Sequence, residues 1–444
     1  MGNEGHVSAW RQPHSSRRPR ALSPLREHLR DTFWFAPTAG LVCSVLLWWA
    51  SSALDVALVE HLQREGRYEL LRGLISVVND AKTIVTTISS AMMTFIGVVF
   101  SISLVAVQMA SGQLTPRVVR IFIRSRISKL TLTVFLATFL FSLLVLTSYE
   151  SERNARRVES VPVVQSIVTM LLVGLSLLLF IGYVSSTLRL MQVGPVVDRI
   201  AQEALGMLVR LPVGSADSVP LPPETSRIGH QGHAGVLLDI HAARLVRLAR
   251  RKGVVLRLIP RIGDFLVPGT PVLAVHGGAA PRRFTPGYTV SVGVERTFHQ
   301  DLGLGLRQLS DIALRALSPA VNDPTTAVQC LDRIVQLLAS FAGRPLGEVR
   351  YRDRRGVVRL VQNVPGWTDL VDLALAEIRG CAVHAPQVTR RLFAGIDDLL
   401  LIVPAERRAP LLRHRTLLLQ AVERTAPTAD ERRFATSPDR QGIG

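Results

Sequence analysis

The feature that most constrains this chain is a run of 34 residues between Lys82 and Arg117 without a single charged side chain. About 20 apolar helical residues cross a bilayer core of roughly 30 Å. Three similar apolar stretches lie around this run, and the four candidate spans are Phe33–Leu54, Thr83–Ser111, Leu130–Tyr149 and Val161–Leu188. The sequence therefore predicts an α-helical polytopic membrane protein with four transmembrane helices.

The charges that flank these spans predict their orientation. The segment Arg117–Lys129 carries five basic side chains and no acidic one, and six arginines precede the first span. The other two connections balance their charges. Since an excess of Lys and Arg marks the cytoplasmic side, both chain ends are expected inside, in a multi-pass protein of the cell inner (plasma) membrane.

Composition argues against several other classes of protein. The net charge of +18 is spread over both halves of the chain without interleaved aromatic residues, so no nucleic-acid module is indicated. The cysteines at 43, 330 and 381 have neither disulfide nor zinc-site spacing. His230, His233 and His241 have a spacing that could ligate zinc, but they lie in and beside a linker, and exposed histidines are the favoured interpretation.

Seven small or polar residues recur at steps of three and four along the second span, and so they share one helix face. They are Thr83, Thr87, Ser90, Thr94, Gly97, Ser101 and Gln108. Such a face is typical of close helix packing in lipid, which is the favoured interpretation. The alternative is a lining for a hydrated path. The face also predicts a homo-oligomer, while Asp55, at the end of the first span, is expected to be interfacial rather than buried.

Arginines crowd the cytoplasmic connection after the second span. With apolar residues between them, they are expected either to anchor the protein by the positive-inside rule or to contact anionic lipid head groups. The four candidates for lipid-phosphate contacts are Arg117, Arg120, Arg124 and Arg126.

The second half is predicted to be a cytoplasmic α+β domain that contains a small β module and a helical bundle. The predicted boundaries are 1–32 for a basic tail, 33–194 for the transmembrane domain, 195–232 for a connecting helix and linker, 233–290 for the β module, 291–425 for the mainly helical domain and 426–444 for a disordered tail. The stretch Gly263–Val272 looks like the turn of biotinyl and lipoyl carrier domains. The carrier lysine is missing from it, so no cofactor is expected.

One turn in this half crowds polar side chains around a helix start. It contains Asn322, Asp323, Thr325 and Thr326, and Pro324 follows Asp323. An Asp before a Pro is a strong signal for an N-cap, which accounts for Asp323 on its own. The turn is also the best candidate for a cytoplasmic ligand site.

Three motifs together resemble one bacterial family of predicted membrane proteins, the domain of unknown function 2254. They are FIGVVFSISLVAVQMASGQLTPRVVR (Phe95–Arg120), GDFLVPGTPV (Gly263–Val272) and QDLGLGLRQLSDIALRALSPAVNDPTTAVQCLDRI (Gln300–Ile334). The resemblance implies an integral membrane protein with this domain order, and it implies neither an activity nor catalytic residues.

No catalytic motif is present, so the chain is expected not to be an enzyme and to hold neither a metal nor a cofactor. The function predicted from the residues is channel-like or transport-related, with a cytoplasmic regulatory domain. The alternative is a membrane-anchored sensor or scaffold whose cytoplasmic domain binds a partner.

Overall fold

The computed structural model describes residues 34–113, 126–149, 161–208, 220–279 and 289–442. These residues group into two compact units. The first, called the four-helix unit, contains four long apolar helices and the segment Leu314–Thr326. The second, called the α+β unit, contains the remaining described residues from Asp198 onward.

The four long helices are α1 (Phe35–Arg64), α2 (Tyr68–Gln113), α3 (Arg126–Thr147) and α4 (Val163–Met191). Each is long and apolar enough to cross a membrane, which confirms four apolar helices at the predicted places. Two of them extend past the predicted spans, because residues 60–82, expected to be a loop, are helical apart from the turn at 65–67. With a rise of 1.5 Å per residue, α2 alone measures about 69 Å. Helix α5 (Val193–Leu208) follows α4 after one residue.

The α+β unit contains two sheets. Their strands are β1 (Glu224–Gly229), β2 (Gly235–Ile240), β3 (Val255–Leu258), β4 (Phe265–Leu266), β5 (Pro271–His276), β6 (Val290–Gly293), β7 (Glu348–Arg352) and β8 (Val358–Asn363). The larger sheet has the order β1-β5-β3-β8-β7, with β3 and β8 parallel. The smaller sheet is antiparallel, with the order β4-β2-β6.

The β structure reaches beyond the predicted β module at 233–290. Strand β1 comes from the predicted linker, and β7 and β8 come from the predicted helical domain. One apolar core explains why these strands belong together. Leu237 of the smaller sheet, Leu256 and Leu360 of the larger sheet, and Leu245 of helix α6 (Ala242–Lys252) all pack into it.

The remaining helices are α7 (Leu304–Ala316), α8 (Pro324–Phe341), α9 (Trp367–Ala382), α10 (Pro386–Ile402), α11 (Arg408–Thr425) and α12 (Ala429–Thr436). Just before helix α7, Asp301 accepts hydrogen bonds from Arg296 and from the backbone N–H of Gly303. Helix α12 lies in the stretch predicted to be a disordered tail. A capping box of Thr428 and Glu431 starts it.

Candidate functional site

Helix α2 presents two contrasting faces. One is buried and follows a strict seven-residue spacing through Leu71, Val78, Val85, Met92, Val99 and Ala106, each at most 5% exposed. The seven small and polar residues predicted from the sequence lie on the opposite face, since their positions are about half a helical turn away. All seven are exposed. We call them the polar face of α2.

The hydroxyl groups that join α2 to its neighbours are not those of the polar face. Ser89 donates to Ser142 of α3 at 2.8 Å, and Ser103 hydrogen bonds to Tyr183 of α4 at 2.6 Å. Since Tyr183 donates its own hydrogen to the Val99 carbonyl, Ser103 is the donor in that pair. Since the polar face is exposed in the single chain, the close helix packing favoured above would involve a second chain, and it stays a prediction.

The polar face points away from the rest of its own unit. Thr87 donates to the Thr83 carbonyl at 2.9 Å, and Ser90 donates to the Thr86 carbonyl at 3.2 Å. A Cβ built on Gly97 would meet nothing within 4 Å. The face is therefore free to contact lipid, water or a second chain without disturbing the fold of this one.

The Asn322 turn has the predicted cap at its centre. The Asp323 carboxylate accepts from the backbone N–H of Thr326 at 3.0 Å and from its hydroxyl at 2.5 Å. Pro324 is the first residue of α8, as an N-terminal proline should be. Asn322 is exposed and has a φ of +47°, a left-handed conformation that Asn tolerates better than most residues. Capping thus accounts for Asp323 and Thr326, whereas Asn322 and Thr325 are exposed, and a ligand at this turn stays a prediction.

The remaining candidates from the sequence are the four arginines that follow the second span and the histidines with zinc-ligand spacing. Arg117, Arg120 and Arg124 lie outside the described residues, as does the side chain of Arg126. Within the described ranges, no group of three or more His, Cys, Asp or Glu side chains could hold a metal ion. His230 instead bonds the backbone carbonyl of His233 at 2.7 Å.

The α+β unit holds a buried polar cluster between its sheets. Asp239 of β2 lies 3.6 Å from the Nε2 atom of His299, and Tyr351 of β7 donates to Gln362 of β8 at 2.7 Å. Burial raises the pKa of Tyr351 well above its usual range, and the negative charge of Asp239 adds to the rise. Tyr351 is therefore a neutral hydrogen-bond donor that ties β7 to β8.

One residue that sequence reasoning misplaced is Asp55. It is 1% exposed, and its carboxylate accepts from the backbone N–H groups of Val164 at 2.8 Å and Gln165 at 3.3 Å, at the start of α4. The expectation that this acid is not buried was wrong, because α1 continues past Asp55 to Arg64 and the start of α4 covers the carboxylate. A signal for its burial exists in the sequence, since Ser44, Ser51 and Asp55 recur at helical spacing on the buried face of α1.

Comparison with known proteins agrees with this architecture. Proteins from Mycobacterium bovis and from Mycobacterium tuberculosis, each named as uncharacterized, are 26% identical to this chain over 419 residues. The matches cover 90% of this chain and 77% of each relative. No solved structure matches. A family described as predicted membrane protein (DUF2254) matches residues 30–398, which include α1–α4 and the strands and helices of the α+β unit through most of α10. The chain therefore belongs to this family of predicted membrane proteins.

Proposed function

We propose that the chain is a non-enzymatic, multi-pass plasma-membrane protein that passes or responds to a small solute or ion, with the α+β unit as a cytoplasmic regulatory domain. The observation that carries the proposal is the exposed polar face of α2. It runs from Thr83 to Gln108, which is about 38 Å of helix and therefore more than the thickness of a bilayer core.

Lipid is a poor partner for such a face. Small residues allow two helix backbones to approach closely, and polar side chains prefer a partner helix or water to hydrocarbon. Membrane oligomers usually close by symmetry. Several copies whose polar faces meet around an axis would form a homo-oligomer with a hydroxyl-lined path at its centre, in which hydroxyls replace part of a solute's hydration shell.

Assembly is tested by measuring the mass of the full chain in nanodiscs, with Gly97→Leu as the variant. Because a Cβ at Gly97 meets nothing in the single chain, the substitution leaves the fold intact and obstructs only a close approach by another copy. Gly174→Leu on α4 is the matched control, since its Cβ also meets nothing. We expect an oligomer for the wild type and the control and a smaller species for Gly97→Leu. A wild-type monomer would contradict the proposal.

Transport is tested by flux of ions and small solutes through liposomes that contain the full chain. We expect Thr94→Leu to block the flux, because it places an apolar side chain on the polar face. Met93→Leu is the control, since Met93 is 63% exposed but lies off that face. No flux from folded protein under any ionic or osmotic condition would favour the second function, a membrane-anchored sensor or scaffold whose cytoplasmic domain binds a partner.

Orientation is the remaining part of the proposal. The loop charges support cytoplasmic N and C termini, and the arginines at 117, 120, 124 and 126 would then face the anionic lipid head groups of the inner leaflet. Reporter fusions at Ser151 and at Arg261 test this directly. We expect an extracytoplasmic signal at Ser151 and a cytoplasmic one at Arg261, and the reverse at either position would overturn the topology.

A further inference from the structure

The buried Asp55 carboxylate can accept more hydrogen bonds than the backbone of α4 donates to it. An ionised carboxylate offers about four lone-pair positions. The N–H groups of Val164 and Gln165 occupy two of them, and the backbone N–H of Val163 also lies near the carboxylate. Within the part of the chain that the structure describes, no basic side chain forms an ion pair with Asp55. A charge buried among helices is costly unless it is paired or hydrogen-bonded.

The hydroxyl groups near Asp55 are already engaged. Ser166 donates its hydrogen to the Pro162 carbonyl at 2.5 Å, so the 2.9 Å contact between Ser166 and Tyr149 must use the Tyr149 hydrogen. Thr169 donates to the Gln165 carbonyl at 2.8 Å. The hydroxyls of Tyr149, Ser166 and Thr169 therefore have no hydrogen left for the carboxylate.

The Gln165 side chain is the exception. It is 1% exposed, and neither its carboxamide oxygen nor its nitrogen has a hydrogen-bond partner among the described residues. Leaving such a group buried and unpaired costs about 1–3 kcal/mol. Side chains on a helix lean toward its N-terminus, and the N-terminus of α4 is where Asp55 lies. The Gln165 N atom lies 3.3 Å from the carboxylate, so the buried side chain of Gln165 begins beside Asp55.

We propose that Asp55 and Gln165 form a binding site for a small hard cation, a proton or Na⁺, inside the four-helix unit. Carboxylate and carboxamide oxygens are the ligands that hard cations prefer. A bound cation would balance the Asp55 charge and satisfy the Gln165 oxygen. Tyr149 is a titratable neighbour of Asp55, and the Nζ atom of Lys82 lies 5.8 Å from the centre of the Tyr149 ring. The site lies within one chain and does not depend on assembly.

Asp55→Asn removes the ionisable group of this site. Asn has one acceptor oxygen, whereas Asp55 uses Oδ1 for Val164 and Oδ2 for Gln165, so this variant also loses one cap hydrogen bond, and Gln165→Leu separates the site from capping. The full chain in nanodiscs is treated with a hydrophobic carbodiimide, which attacks protonated carboxyl groups, and labelling at Asp55 is read by peptide mass spectrometry. We expect labelling that falls as pH rises, and a melting temperature that depends on the cation in the wild type but not in Asp55→Asn. Glu60→Gln is the matched control, because Glu60 lies on the same helix, is exposed and pairs with Arg64.

The two cations give different results. If NaCl protects Asp55 from labelling and choline chloride at the same pH and ionic strength does not, the bound cation is Na⁺. If the labelling depends on pH alone, the bound cation is the proton. Gln165→Leu keeps both backbone donors, so the cap survives. It should weaken protection by Na⁺ about tenfold or more, or shift the pH midpoint of labelling if the proton binds. No labelling at any pH in folded protein, or identical behaviour of wild type and Gln165→Leu, would overturn the site.

Discussion

The two units have opposite distributions of polarity. In the four-helix unit, outside the polar face of α2, large apolar side chains are exposed, such as Trp49 at 70% and Leu178 at 69%, whereas Thr138, Ser142 and Ser176 are fully buried. In the α+β unit the core is mainly apolar and many arginines occupy the surface, as on α6, where Leu245 is buried and Arg250 and Arg251 are exposed.

This contrast agrees with an aqueous surrounding for the α+β unit and with the proposed lipid surrounding for the four-helix unit. Water drives apolar side chains into the core of the α+β unit. Lipid gives no such drive between helices, so association depends on close packing and on hydrogen bonds between hydroxyls. Thr138 and Ser176, 3.1 Å apart across α3 and α4, are an example. The same kind of substitution should therefore have different effects in the two units.

Removing a large core ring should have the largest effect, and mainly in the α+β unit. Phe341→Ala is expected to destabilise that unit by about 3–5 kcal/mol, since it loses apolar burial and leaves a cavity. Phe141 of α3 is equally buried, but Phe141→Ala should lower the stability of its unit by less, because the helices remain in lipid when they separate. Hydrogen exchange read by mass spectrometry measures each unit separately. Equal losses of stability in the two units would contradict this difference between them.

Breaking a buried ion pair should have the second-largest effect on stability. Asp301 is 2% exposed, and Arg296 contacts both its oxygens, at 2.6 and 2.8 Å. Arg296→Met should cost about 3 kcal/mol, because the carboxylate stays buried without its partner. Arg64→Met, which removes the exposed pair with Glu60, is the control and should cost less than about 1 kcal/mol. Denaturant unfolding of the full chain measures both changes.

The Asn322 turn tests a smaller and local contribution. Asp323→Ala should cost about 1 kcal/mol through loss of the cap. Asn322→Gly should be nearly silent, whereas Asn322→Ala carries about 1–2 kcal/mol of strain at positive φ. If the turn also binds a ligand, Asn322→Gly should abolish function in vivo at normal membrane level and thermal stability. If bacteria that carry Asn322→Gly are indistinguishable from the wild type under every stress, the ligand site is excluded.

The smallest expected effect is the loss of one hydrogen bond between helices in the four-helix unit. Ser142→Ala removes the partner of Ser89 and should cost about 0.6 kcal/mol. Ser90→Ala is the control, since Ser90 bonds only its own helix among the described residues. A loss of several kcal/mol for Ser142→Ala would show that hydroxyl contacts dominate the stability of this unit.

Much of the fold follows from local sequence signals. The charge-free apolar runs predict α1–α4, and helical periodicity predicts α10 with the observed ends, Pro386–Ile402. Asp323 and Pro324 predict the start of α8. Each of these signals lies within a few residues along the chain, because helix hydrogen bonds and caps join residues three or four apart.

The tertiary structure alone decided the features that join distant residues. Leu256 of β3 pairs in parallel with Leu360 of β8, so a strand from the domain predicted to be mainly helical joins the sheet. Asp55 is buried because the N-terminus of α4, more than a hundred residues later, lies against it. The polar face of α2 is exposed because the opposite face of the helix is the one that packs against its neighbours. Hydrophobic periodicity shows that a helix has two faces, but only the neighbouring elements determine which of them is buried.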